Sequence, residues 1–220
     1  MAPTSISQAL PATGRGRPGY SRAQVISEAV NEFNAHGYEA TSMGTLAKRL
    51  GITKSAIYHH VTSKEEILQE ATDLALTSLE EISAEAWEQT GGPKAQLVFL
   101  IKGSIAVLCE HKAQVTLLLR LRGNSEAELE AMKRRRELTR AMIDLVIHAQ
   151  EAGEIRSDLD AGVVGRLIFG TVNSLTDWYE AGGKLTPEEI ADTTAELVLS
   201  GLKTATPSTQ AVTIRPSQTL

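Results

Sequence analysis

Cysteine is nearly absent: Cys109 is the only one in 220 residues, which excludes an intrachain disulfide and any cysteine-cluster metal site. Its setting, SIAVLCE, assigns it to a core, and no neighbouring pattern suggests redox or nucleophilic chemistry. Long apolar runs are also lacking. No stretch of 18 apolar residues occurs, as a membrane-spanning helix would require. The N-terminal MAPTSISQALPATG lacks a basic segment followed by an apolar core, so it does not read as a signal peptide. The expected compartment is the cytoplasm, with no membrane partner. Catalytic and cofactor signatures are missing as well: there is no HExxH, EF-hand loop, Walker motif, Gly-rich dinucleotide loop, or convincing Ser-His-Asp or cysteine-based arrangement. The five histidines are scattered or fall in the N-terminal third. No enzyme, metal or cofactor is expected.

What the chain does contain is helical periodicity and an uneven charge. It is 42% hydrophobic and 22% charged, a composition that suits a globular protein. The net charge of -5 divides into about +4 over residues 1–64 and about -9 over the remainder. A basic head is drawn to phosphates while an acidic body is repelled from them.

Residues 1–20 are rich in Pro, Gly, Ser and Thr and read as a flexible basic arm; residues 204–220 have the same character and read as a disordered tail. Between them nearly every segment has a helical period, so the expected fold is all-α. Residues 21–68 are assigned to a small head and 69–203 to a larger helical body. The first helix is expected over Arg22–His36, capped by Ser21 and stopped by Gly37, with Val25, Ile26, Ala29, Val30 and Phe33 inward. A short helix near Ser42–Leu50 and another from the cap Thr53 through His60 flank Gly51 and Ile52. Ser63 is expected to cap a longer helix with Glu66 as its capping-box partner. That helix has a stripe of Ile67, Leu68, Ala71, Leu74, Ala75, Leu79 and Ile82. Further helices are expected at about 93–110, 112–121, 125–151, 158–181 and 187–203, with Asp158 and Thr186 as caps.

Residues 41–68, TSMGTLAKRLGITKSAIYHHVTSKEEIL, place two short helices around LGIT, the scaffold of a helix-turn-helix. On the second of these helices, Ala56, Ile57, His60 and Val61 share the packing face, and Lys54, Ser55, Tyr58 and His59 point outward. Lys54 and Lys64 suit phosphate contacts. Tyr58 suits sugar or base edges, Ser42 and Ser55 positioning hydrogen bonds, and His59 a base or a phosphate. Within the arm, RGRP puts Arg15 and Arg17 beside flexible glycines, a composition that suits a narrow minor groove.

These residues carry a resemblance to the TetR family of transcriptional regulators. The matching positions are Phe33, Gly37, Tyr38, Thr41, Ser42, Leu46, Ala47, Gly51, Ile52, Lys54, Ile57, Tyr58, His59, His60 and Lys64. The resemblance implies a TetR-like three-helix head on a larger helical body, a homodimer on double-stranded palindromic operator DNA, and repression relieved by a small effector. It also implies DNA contacts from Ser42, Lys54, Ser55, Tyr58, His59 and Lys64. Gly44 departs from the longer polar residues common in the family, so the resemblance carries no base contact to that position.

The body segment FLIKGSIAVLCEHKAQVTLLLRL, with Phe99 and Leu118, offers apolar side chains for a core or a pocket between helices. KRRR at 133–136, with Arg140 one turn on, suits phosphate; ion pairs with neighbouring glutamates are the competing role. Residues 167–202 resemble the C-terminal bodies of TetR-type regulators of fatty-acid, steroid or phenylacetate catabolism. The resemblance runs through Asn173, Trp178, Tyr179, Gly182, Gly183, Leu185, Thr186, Pro187, Glu188 and Glu189. It implies a CoA thioester as effector, with Arg134, Arg135, Arg136, Arg140, Phe99, Leu118, Asn173 and Trp178 as candidate ligand contacts. The last two long helices carry apolar stripes that fit either the monomer core or a four-helix dimer interface. The alternative function is an architectural or accessory DNA-binding protein without an effector, to be told apart by broad, length-dependent DNA coverage.

Overall fold

The computed structural model describes residues 20–203, and all regular structure among them is helical. The helices are α1 Arg22–His36, α2 Met43–Leu50, α3 Lys54–Tyr58, α4 Lys64–Glu88, α5 Pro93–Glu110, α6 Lys112–Arg120, α7 Glu126–Glu151, α8 Ala161–Asn173, α9 Leu175–Trp178 and α10 Pro187–Gly201. The arm and tail, including Arg15 and Arg17, lie outside the described residues.

Local chemistry sets the ends of these helices. Ser21 caps α1 in a full capping box with Gln24. Gly51 ends α2 in the left-handed region at φ 67°, where a side chain would meet steric resistance. Thr186 and Glu189 form a second capping box at α10, with Pro187 in the first turn.

Four expectations change in detail. The second helix of the helix-turn-helix stops at Tyr58, so His60 lies beyond it. Ser63 does cap α4, but Glu66 reaches past it and accepts from the amide and hydroxyl of Thr62, each at 2.5 Å. The single helix expected over 158–181 is broken into α8 and α9. Asp160 caps α8 through the Val163 amide, because Asp158 is held by a two-point ion pair with Arg156.

Two apolar clusters form the interior. One lies in the body among α4, α5, α7, α8 and α10. The other contains Val25, Phe33, Leu46, Ile57 and Leu68 from the N-terminal helices, and extends into Leu117, Leu118, Leu121, Ala131 and Leu138 of α6 and α7 and the residues beside them. The helix-turn-helix therefore rests on a core that the body helps to build.

Candidate functional site

The candidate DNA-facing surface is built on α2 and α3. Ile57 and Val61 are fully buried and seat α3 against the core. Lys54, Ser55, Tyr58 and His59 are all exposed, Tyr58 to 45%. Lys54 lies over the Tyr58 ring, 5.8 Å from its centroid, which draws the cation and the aromatic to one place on the surface. Ser42 is the N-cap of α2 and accepts from the Thr45 amide at 3.0 Å. Lys64 stands at the start of α4. Its Nζ lies 4.1 Å from the centroid of Tyr38 and donates to the Tyr38 carbonyl at 3.0 Å.

The head is tied to the body at two places. Arg22 of α1 donates to Glu66 at 2.7 Å and to Glu70 of α4 at 2.5 Å. Hydrogen bonds from Thr62, then from Arg22, hold the Glu66 carboxyl down at about 2. Between α1 and α6 the ties are reciprocal. Asn34 Nδ2 donates to the Ala113 carbonyl at 2.8 Å, and Arg120 donates to the Asn34 carbonyl. A buried carboxylate fixes the next turn. Glu128 is only 2% exposed and accepts from the amides of Arg122, Gly123 and Asn124. Burial pushes the Glu128 carboxyl up, but these amides outweigh it and the group ends below its ordinary value.

Beneath α6 lies a cavity of about 330 Å³. Leu79, Val115, Leu118, Leu119, Leu138 and Phe169 supply its apolar wall; Arg135, Thr139, Arg166 and Asn173 supply polar groups. Arg135 is half-buried and donates to the Leu118 carbonyl at 3.0 Å. Burial, then the neighbouring Arg136, lower its pKa. Neither Arg135 nor Arg166 makes an ion pair among the described residues, in contrast to Arg134, which pairs with Asp73 and Glu80.

The candidate ligand residues thus separate. Arg135, Leu118 and Asn173 meet at this cavity. Arg134 turns away and is held by Asp73 and Glu80 of α4, so the competing ion-pair role prevails for it. Arg136 and Arg140 are exposed on α7. Phe99 lines a groove against α10 with Lys102, Ala191 and Asp192. Trp178 lines a shallow hollow with Tyr179, Leu185 and Ile190. Sequence reasoning missed Arg166, a lone basic residue in an apolar helix; that isolation was the available signal.

A helix-turn-helix seated on an all-helical body that holds a partly open cavity is the architecture of a ligand-responsive DNA-binding regulator. Residues 25–71 match the bacterial regulatory proteins of the tetR family, and residues 90–202 match the tetracyclin repressor-like C-terminal domain. The chain belongs to the TetR family. It is 39% identical to a solved TetR-family regulator from Streptomyces coelicolor A3, with a TM-score of 0.76, covering 81% of this chain and 90% of that one. It is 28% identical over 190 residues to the HTH-type transcriptional repressor KstR2 of Mycobacterium tuberculosis, covering 85% of this chain and 95% of that protein. The solved structure of KstR2, described as a ketosteroid transcriptional regulator, superposes with a TM-score of 0.76 at 27% identity, covering 86% of this chain and 98% of that one. The fatty acid metabolism regulator protein of Bacillus subtilis is 24% identical over 192 residues, covering 84% and 96%.

Among the described residues no cluster of three or more His, Cys, Asp and Glu is placed to hold a metal ion. No described helix is long and apolar enough to cross a membrane.

Proposed function

We propose that this chain is a homodimeric transcriptional repressor that binds a palindromic operator and leaves it when an acyl-CoA thioester occupies the body. The observation that carries this reading is the cavity under α6, lined by apolar side chains together with Arg135 and Arg166, which make no ion pair among the described residues. An acyl or ring system suits the wall, and the phosphates of CoA suit Arg135 and Arg166, with Arg136 and Arg140 further along α7. The likeness to KstR2, a ketosteroid transcriptional regulator, and to the Bacillus regulator of fatty acid metabolism supports an effector with an extended apolar part.

The route to the DNA runs through α6. An anion that draws the Arg135 guanidinium to itself takes a donor from the Leu118 carbonyl. The same helix is bonded to α1 through Ala113 and Arg120, so its displacement tilts the head and changes the spacing of two heads across a dimer. On each head Ser42, Lys54, Ser55, Tyr58, His59 and Lys64 are the DNA contacts, with Arg15 and Arg17 of the arm in an adjoining minor groove. Dimerisation uses α8 and α10, where Leu167 and Leu197 are 65% and 68% exposed, far more than an isolated surface would favour.

The test is fluorescence anisotropy on DNA from the region upstream of the protein's own coding sequence, titrated with CoA thioesters. One thioester releases the DNA and free CoA does not. Arg135→Ala and Arg166→Ala bind DNA as the parent does but require at least tenfold more thioester for release. Specific binding that no thioester reverses overturns the effector assignment.

A further inference from the structure

The helix proposed to read DNA is short. α3 has five residues, Lys54–Tyr58, and Ile57 is its buried anchor. Thr53 caps its first turn by accepting from the Ala56 amide at 3.1 Å. Past Tyr58 the chain leaves through a turn in which the amides of His60 and Val61 both donate to the Ile57 carbonyl. A helix of this length has few internal hydrogen bonds with which to fix its own direction. Its pose depends on what grips its exit.

Arg22 grips that exit. It stands in the first turn of α1, directly after the capping box of Ser21 and Gln24 is set. Its Nη1 donates to the His60 carbonyl, while Nη2 donates to Glu66 Oε1 at 2.7 Å and to Glu70 Oε2 at 2.5 Å. The other oxygen of Glu66 accepts from the amide and hydroxyl of Thr62. His60, Arg22, Glu66 and Thr62 therefore close a ring around the turn from α3 to α4. The Arg22 side chain is 43% exposed, so ion pairing there adds little stability. What the guanidinium supplies is direction: a planar fork whose donors leave at fixed angles.

We infer that Arg22 is a positioning residue for operator discrimination, holding α3 in register with α1 and α4 without itself touching DNA. Contacts to base edges depend on placement to about 0.5 Å. Contacts to phosphates tolerate a looser pose and carry no sequence information. Loss of the fork therefore lowers affinity for the chosen sequence and leaves non-specific binding in place. A lysine keeps the charge but offers a single nitrogen, which cannot face a carbonyl and two carboxylates in the same geometry. The inference rests on the reading of α3 as the DNA-facing helix, and not on the identity of any effector.

The test uses the full chain and a duplex that it selects from a random-sequence pool, beside a scrambled duplex of equal length and composition. Fluorescence anisotropy across a salt series compares the parent with Arg22→Lys and Arg22→Gln. Both variants are expected to bind the selected duplex at least tenfold more weakly. On the scrambled duplex they stay within about twofold of the parent and keep its salt dependence. Without DNA, amide hydrogen exchange is expected to quicken several-fold at His59, His60 and Val61 and to stay unchanged across Leu46–Leu50. Losses on both duplexes in Arg22→Gln that Arg22→Lys restores, with a shallower salt slope, make Arg22 a phosphate contact and overturn the inference. Parental discrimination in Arg22→Lys, or parental exchange at His59–Val61, overturns it as well. If the parent selects no sequence, the DNA reading of α3 falls, and this inference with it.

Discussion

Lys64 has two partners to serve, which gives its replacement two separable consequences. Its side chain is only 18% exposed, packed on the Tyr38 ring and bonded to the Tyr38 carbonyl. Lys64→Ala is expected to lose about 1 kcal/mol of stability in urea unfolding as well as affinity for many DNA sequences, with a shallower salt dependence. Tyr58 is exposed and has no such internal role, so Tyr58→Ala weakens specific binding at unchanged stability. A stability loss in both variants, or in neither, contradicts this division. Glu66 adds a pH signature. Its folded pKa of about 2 lies below the ordinary 4.5, so its contribution is complete above pH 4.5 and is lost as the pH falls towards 2. The melting temperature of Glu66→Gln should lie below that of the parent at pH 7 and converge with it in acid. The outward set Lys54, Ser55, Tyr58 and His59 was legible because helical spacing alone separates it from Ile57. The Lys64–Tyr38 contact was not, because it joins residues 26 positions apart that no local pattern relates.

At the level of the element, α8 is held unusually close to α7. A side chain at Gly165 would place its Cβ 2.7 Å from Ile143 Cγ1 and 3.3 Å from the Ile143 Cα. Gly165→Ala gains helix propensity of about 1 kcal/mol, yet overpacking of about 1–3 kcal/mol against a backbone that cannot step aside outweighs it. A net loss of stability in urea is expected; a gain would show that the two helices separate at little cost. Most helices were readable from caps and turn residues: Ser21, Gly51, Ser63 and Thr186 each act as their chemistry suggests. The break between α8 and α9 was hidden, since the apolar period continues from Leu167 through Val172 to Leu175. The choice between Asp158 and Asp160 as a cap was hidden too. Either can cap, and Arg156 settles which one is free.

For the molecule as a whole, the arrangement of the apolar surface sets the expected assembly. Leu197→Glu on α10 puts a charge at the centre of the proposed interface and should yield monomers in sedimentation, with specific DNA affinity reduced at least tenfold. A variant that remains dimeric would move the interface elsewhere. The cavity itself was legible only in part. Arg135, Leu118 and Asn173 converge there, whereas Phe99 and Trp178 face other surfaces, because side chains from four helices meet only once those helices have packed.

The core beneath the helix-turn-helix draws five of its buried side chains from α6, α7 and the turn between them. Recognition and sensing therefore resist being treated as interchangeable parts. A chimera that grafts another regulator's operator specificity by exchanging residues 21–68 would set foreign side chains against Leu117, Leu118 and Leu121. It would inherit a mismatched seam in place of a new specificity. Transplanting only the outward residues of α3 leaves that seam intact, and is the exchange this architecture tolerates.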